Sequence, residues 1–269
     1  GGIWDLTLSN ISYLGRANMG GIAGVLGLNT TADNISLSGN ITGTDNGVGG
    51  AFGYSNTVST VRNINSSVNV AGGRSVGGII GSVDASSIAY ELKSSGNISG
   101  TVGVGGILGS TGGNVTFTRC TSQGSFIKGT SSVGGITGNH TQTSNVTNSY
   151  STVTTITGDT YVGGIIGTIA GGTIDNCYSS SNIIASGNYV GGIVGYSAAD
   201  VSDSFYTGNL TGSTATTGVG PVVGVSTRTF TNNFAYDTSG SASECTNLGG
   251  GGCNTRGYTA EPPESDFYK

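Results

Sequence analysis

Short apolar runs alternate along the chain with stretches of Gly, Ser, Asn, Thr and Asp, and they recur on a fixed period. The clearest run is Val162-Gly163-Gly164-Ile165-Ile166-Gly167. Equivalent phrases begin at Met19, Val48, Val76, Val104, Val133, Val190 and Val219, the last with Pro221 in place of the second glycine. Successive starts lie 28 or 29 residues apart. A period in this range marks a solenoid or array, in which each repeat is one supersecondary unit. Two further apolar positions follow each glycine phrase. One column reads Ile35, Ile64, Leu92, Cys120, Ser149, Cys177 and Ser204, and the other reads Ile41, Val70, Ile98, Phe126, Thr155, Ile183 and Leu210. Runs this short, rich in β-branched residues and bounded by turn formers, read as strands, and none is long enough at helical spacing for a helix.

Roughly three short strands per period, stacked coil on coil, predict an all-β fold: a β-solenoid of about eight coils of 28–29 residues. At the inter-strand spacing of about 4.8 Å the stack is a rod about 40 Å long. One coil cannot bury its inward side chains alone, so the core must be a ladder running through every coil. The column Ile22, Ala51, Ile79, Ile107, Ile136, Ile165, Ile193 and Val222 is the candidate ladder. The paired glycines beside it permit close backbone approach, at an entropic cost of about 0.5–1 kcal/mol each. Gly103-Val104-Gly105-Gly106 has the look of a phosphate-cradling loop, but no helix follows whose N-terminus could hold a phosphate. Residues 1–18 read as an N-terminal strand or partial coil, with Trp4, Leu6 and Leu8 alternating. Residues 19–244 are the repeats, ending in a coil with Phe230, Phe234 and Tyr236. Residues 245–269 are a tail in which Pro262-Pro263 stops any ladder.

With the phrases Gly78-Ile79-Ile80-Gly81, Gly106-Ile107-Leu108-Gly109 and Gly164-Ile165-Ile166-Gly167 aligned, the chain resembles the GLUG-repeat family. Asn148-Ser149-Tyr150-Ser151 and Asn176-Cys177-Tyr178-Ser179 are similar to that family's second strand. Asn233-Phe234-Ala235-Tyr236-Asp237-Thr238-Ser239-Gly240 and Gly257-Tyr258-Thr259-Ala260-Glu261 are similar to the segment that often follows its last repeat. The resemblance spans roughly the whole chain. It implies surface or secreted proteins, such as adhesin-like chains and the non-catalytic part of IgA-cleaving metallopeptidases. It brings no active site with it.

Charge is sparse, at 9% of residues, with a net of −5. No basic stripe is present to track phosphates, so a nucleic-acid partner is not expected. No apolar run is long enough to span a bilayer as a helix. The opening Gly1-Gly2-Ile3-Trp4 reads as a trimmed, mature chain. Cys245 and Cys253 flank a glycine-rich loop that lets them meet, which predicts a disulfide and an extracellular setting. Cys120 and Cys177 share a column two coils apart, about 9–10 Å, beyond the roughly 7 Å limit for a bridge. They are expected to be reduced and buried as small hydrophobes. Asn-x-Ser/Thr sequons begin at Asn10, Asn29, Asn34, Asn40, Asn65, Asn97, Asn114, Asn139, Asn145 and Asn209. A chain this rich in Asn, Ser and Thr yields several by composition alone, but N-glycans at some of them would keep a low-charge rod soluble.

Catalytic chemistry is sparse, and the chain is not expected to be an enzyme or to need a cofactor or metal. The only histidine, His140, follows Asn139 in a polar stretch and reads as solvent-exposed filler. Asp175 and Asp203 fall in adjacent coils near one column, a pair more typical of solvated turns than of paired-carboxylate hydrolysis. The position after each third glycine reads Val25, Tyr54, Ser82, Ser110, Asn139, Thr168, Tyr196 and Val225, which is no threonine ladder for ice. Neither end shows an amphipathic capping helix, and uncapped solenoid ends invite pairing with other chains. The expected function is therefore a structural subunit of an extracellular filament or surface fibre that self-associates into a homopolymer. Its coils stack end to end, and Trp4, Pro262, Pro263, Phe267 and Tyr268 lie at the joint. Trp4 reads either as a plug of the core or as a partner anchor. The alternative is a monomeric adhesin stalk or carbohydrate-binding module at a host or cell surface, with Tyr54, Tyr189 or Tyr196 touching glycan.

Overall fold

Turn formers between the apolar runs fold each period back on itself, so each column meets its own copy 28 or 29 residues later. The computed structural model describes residues 1–27, 29–211 and 218–235. It shows an all-β solenoid of about eight turns, and the described residues contain no helix. Neighbouring coils pair in parallel throughout. The first strand, β1 (Gly2–Gly15), lies on β3 (Thr30–Gly43), while β2 (Ala23–Leu26) begins the next column beside the first glycine phrase. One seven-stranded sheet carries the residue that opens each glycine phrase, in the register Val48, Val76, Val104, Val133, Val162, Val190, Val219. A larger sheet supplies the remaining strands. In the coil spanning residues 131–158 the apolar runs are divided into four strands by the corners between them.

The isoleucine column is the core ladder. Its members from Ala51 to Ile193 are fully buried, and each backbone N–H bonds the equivalent carbonyl one coil on, as in Ile107 to Ile136 and Ile136 to Ile165. The Cys177 column also holds, running from Leu6 through Ile35, Ile64, Leu92, Cys120 and Ser149 to Ser204. The Ile183 column needs correction in two coils. Ile98 pairs with Ile127 and then Ile156, not with Phe126 and Thr155. Ile127 and Ile156 are fully buried, whereas Phe126 is among the exposed large apolar side chains. One extra residue before these strands moves the register by one, and a one-residue slip exchanges inside for outside.

Two corners of the coil are made by left-handed residues. One column holds Asp5, Asn34, Asn63, Glu91, Arg119, Asn148, Asn176, Asp203 and Asn232, all with φ near +50°. Asn and Asp tolerate this conformation because a short polar side chain bonds locally. The other column holds Asn18, Gly47, Ser75, Gly103, Ser132, Tyr161, Tyr189 and Gly218. The paired glycines of the repeat have no such φ. They are glycine for space: a Cβ on Gly164 would sit 2.0 Å from the Gly192 carbonyl oxygen and 2.4 Å from Ser179 Oγ. Across the interior the glycines face a buried serine column, Ser66, Ser94, Ser122, Ser151 and Ser179, so the core is one small side chain thick there.

Candidate functional site

Three surface features arise from these columns: a flank groove, a tyrosine cluster and the open first coil. The groove runs beside the asparagine corner, with a volume of about 860 Å³. Its floor is the outward column Asn65, Lys93, Thr121, Tyr150 and Tyr178, and its wall is the left-handed column Asn63, Glu91, Arg119, Asn148 and Asn176. Strand alternation places these residues outward, on either side of the inward Cys177 column. Side-chain bonds stitch the wall from coil to coil. Asn176 Nδ2 donates to Asn148 Oδ1 at 2.5 Å, and Asn63 Nδ2 donates to Asp33 Oδ1 at 2.7 Å. The Asn63 hydrogen bond, with the Arg62 guanidinium 2.8 Å away, holds the Asp33 carboxyl below the usual carboxylate range. Arg119 Nη1 donates to the Tyr90 hydroxyl and lies 3.3 Å from Glu91 Oε1, with its guanidinium over the Tyr90 ring. Tyr178 stacks on Phe205, with centroids 6.0 Å apart, and its hydroxyl pairs with Thr207 Oγ1 at 2.9 Å.

The second feature lies on the other left-handed corner. Tyr161 and Tyr189 occupy it with φ of 57° and 62°, where other coils place Gly47, Gly103 and Gly218. A bulky residue in this region is a genuine outlier. Their rings stack at 4.8 Å, and Tyr196 meets both edge-on. Of the three tyrosines expected to face ligand, Tyr189 and Tyr196 are thus brought together, with Tyr161 as a partner that the sequence reading missed. Tyr54 is five coils away from Tyr196 in the same column, and its hydroxyl donates to Asp84 Oδ2 at 2.8 Å, a bond that raises the phenol above its ordinary value.

The third feature is the first coil. Among the described residues, β1 pairs with β3 on one edge and with no strand on the other. Its inward residues Ile3, Leu6 and Leu8, with Met19 and Ile22, are only partly buried, whereas the next layer's Ala32, Ile35, Val48 and Ala51 are sealed. Trp4 does not plug this end. It points outward, 56% exposed, with its indole against Gly2. The reason is the left-handed Asp5, which breaks the strand alternation: Trp4 pairs with Asp33 in an outward column, while Leu6 and Leu8 beyond the corner pair with Ile35 and Leu37 and face in.

His140 is not exposed filler. It is fully buried, because the second residue after each third glycine faces inward; its column runs Thr111, His140, Ile169. Its Nε2 pairs with Thr137 Oγ1 at 2.6 Å, its ring meets Phe117 edge-on, and Nδ1 is sealed without a partner. Burial pushes its pKa down to about 3. Column membership, with Leu26, Val83 and Ile169 in other coils, was the signal that placed it inside. Cys120 and Cys177 are buried free thiols, and burial pushes both up to about 12. Ser149 Oγ accepts from the Cys120 N–H, and Ser204 Oγ from the Cys177 N–H. Asp175 and Asp203 do not converge on one column. Asp175 pairs with Ser202, whose hydroxyl donates to it at 2.5 Å, and Asp203 belongs to the left-handed column beside it.

The sequon asparagines lie along the outside of the coils. Asn10, Asn29, Asn34, Asn40, Asn65 and Asn114 are exposed, and Asn97, Asn139, Asn145 and Asn209 are half-buried. Asn97 Oδ1 accepts from the backbone of Ser125 and Phe126, and Asn145 Oδ1 accepts from Thr173, so these two serve as coil-to-coil ties. Cys245, Cys253, Pro262, Pro263, Phe267 and Tyr268 lie outside the described residues, as does Tyr236.

A family model for the GLUG motif matches residues 158–184, one coil that includes the Val162 glycine phrase and Asn176-Cys177-Tyr178-Ser179. No curated protein and no solved structure matches the chain.

Proposed function

Because this β-solenoid carries a GLUG motif in a chain built from repeats of that kind, we propose that it is the structural subunit of an extracellular filament or surface fibre. Rods stack end to end, and the C-terminal segment clasps the neighbour. The observation that carries the reading is the outer edge of β1, which pairs with no strand among the described residues, with its half-covered apolar residues. Val219 and Val222 stand in the columns of Met19 and Ile22, so the coil they belong to repeats the layer with which the first coil begins. A second copy's last coil would therefore meet the first coil as any coil meets the next, by parallel pairing and apolar stacking. Such a head-to-tail contact generates an open filament. The proposal contains no catalytic step, and the one histidine is sealed in the core. N-glycans on exposed sequons and a Cys245–Cys253 disulfide belong to the same extracellular reading.

Negative-stain microscopy and sedimentation over a concentration series test this. The chain should form long rods at high concentration, and Leu8→Lys, an inward charge at the open edge, should keep it in single short rods. Truncation before Glu261 should weaken the joint. Short rods for the parent chain at every concentration would sink the filament. A second reading, a monomeric adhesin stalk or carbohydrate-binding module, is favoured by the stacked Tyr161 and Tyr189 held in a strained conformation.

A further inference from the structure

The flank groove has a composition that rod assembly does not use. We propose that it binds an acidic oligosaccharide, with Lys93 and Arg119 meeting ligand carboxylates and Tyr150 and Tyr178 lining the groove with aromatic surface against the sugars. The inference stands apart from end-to-end stacking, because the groove runs along the side of the rod and stays open in a stack.

Conformation supports it first. Seven of the nine left-handed corner residues are Asn or Asp, the types that relieve this backbone locally; the exceptions are Glu91 and Arg119, both lining the groove. Strained residues of unsuited type that persist in a repeat point to a role other than the turn. Charge supports it next. The lining residues carry two cations against one carboxylate, in a chain of net charge −5. Among the described residues Lys93 makes no ion pair, and the contacts of Arg119 with Tyr90 and Glu91 engage Nη1 alone. A guanidinium has five N–H donors, so Nη2 and Nε remain to grip a carboxylate.

Shape and chemistry complete the argument. A concave site with aromatic surface and a few directed polar groups is the usual form of a small-molecule site. Tyr150 and Tyr178 are half-buried, stand one coil apart and line the groove, where they add aromatic surface beside the two cations. The Asn176–Asn148 bond uses one donor and one acceptor, and each amide keeps its other group for a hydroxyl. From Lys93 through Thr121 and Tyr150 to Tyr178 is three coil steps, about 14 Å, which suits several linked rings better than one.

Isothermal titration of the full chain with hexagalacturonate, and with cellohexaose as the neutral control, tests the assignment. Hexagalacturonate should bind, with a Kd that rises at least tenfold in Lys93→Gln/Arg119→Gln and similarly in Tyr150→Leu. Cellohexaose should bind at least tenfold more weakly, and added salt should narrow the gap. Circular dichroism should show the charge variant folded, since both side chains are on the surface. No binding of hexagalacturonate, equal affinity for the neutral probe, or a Kd unmoved by the charge variant would each overturn the proposal. So would a loss of binding in Tyr189→Gly, which would place the ligand on the tyrosine cluster. Failure here would leave the outcome of the microscopy test unaffected, so the two readings fail separately.

Discussion

His140 and Thr137 form a polar pair at two inward positions that the next coil fills with Ile166 and Ile169. The folded chain resists protonating His140 until about pH 3, while an unfolded histidine protonates near 6.5. Its folded pKa is depressed, so its contribution is complete above about pH 6.5 and erodes as pH falls toward 3. The steepest loss is about 1.4 kcal/mol per pH unit. The variant Thr137→Ile/His140→Ile repeats the neighbouring coil and should flatten this part of the acid dependence, measured as the difference in urea midpoint between pH 7 and pH 4. His140→Ile alone should cost about 1–3 kcal/mol, because it leaves the Thr137 hydroxyl sealed without a partner. An identical pH response in parent and double variant would show that His140 is not the group responsible. The two buried thiols give a simpler residue-scale expectation. With pKa values near 12 and no exposure, Cys120 and Cys177 should ignore iodoacetamide at pH 8 until the rod is unfolded.

At the scale of the coil, the glycine phrase fixes how closely successive turns approach. Gly164→Ala would push a methyl into the Gly192 carbonyl and Ser179 at once, both belonging to the wall of the rod. Overpacking of this kind costs about 3 kcal/mol or more, because backbone must move. Gly27 has open space around its Cβ position and no positive φ, so Gly27→Ala should be neutral or stabilise by up to about 1 kcal/mol. The denaturant midpoint should fall for Gly164→Ala and hold or rise for Gly27→Ala, and equal losses would refute the packing account. The same coil shows how far the fold was legible. The valine and isoleucine ladders were readable because they sit at fixed distance from the glycines. The slip to Ile127 and Ile156 was not, because the extra residue falls in a turn where apolar spacing gives no register. The asparagine corner left a trace, Asn or Asp just before the Cys177 column, but its left-handed backbone emerges only when the coils are stacked. The flank groove was illegible for a similar reason: Lys93, Arg119 and Tyr178 belong to different coils and meet only through pairing.

At the scale of the whole molecule, stability is a sum over coils and their interfaces, so the rod should survive removal of a complete coil. Excising residues 133–161 joins Ser132 to Val162, which occupies the position of Val133 one layer on. Every column then closes on the right partner: Leu108 meets Ile166, Phe117 meets Ile174, and Ile127 meets Ile183. The removed coil also takes His140 and Thr137 with it, so acid sensitivity should fall in the excised chain as in the double variant. The loss is local. The Cys120 N–H exchanges Ser149 Oγ for the sulfur of Cys177, a weaker acceptor, for about 1 kcal/mol. Cys120 and Cys177 should then stand one layer apart, about 4.8 Å, inside the range a disulfide spans, where the parent holds them about 9.6 Å apart. Refolding from urea under mild oxidation should therefore join the two thiols in a disulfide in the excised rod and leave them free in the parent, read by mass spectrometry. Removing 15 residues, about half a coil, should unfold the rod, because the inward and outward faces no longer meet their copies. An excised chain that folds no better than the half-coil deletion would show that the coils are not interchangeable layers, and the end-to-end stacking of whole rods would lose its physical basis with them.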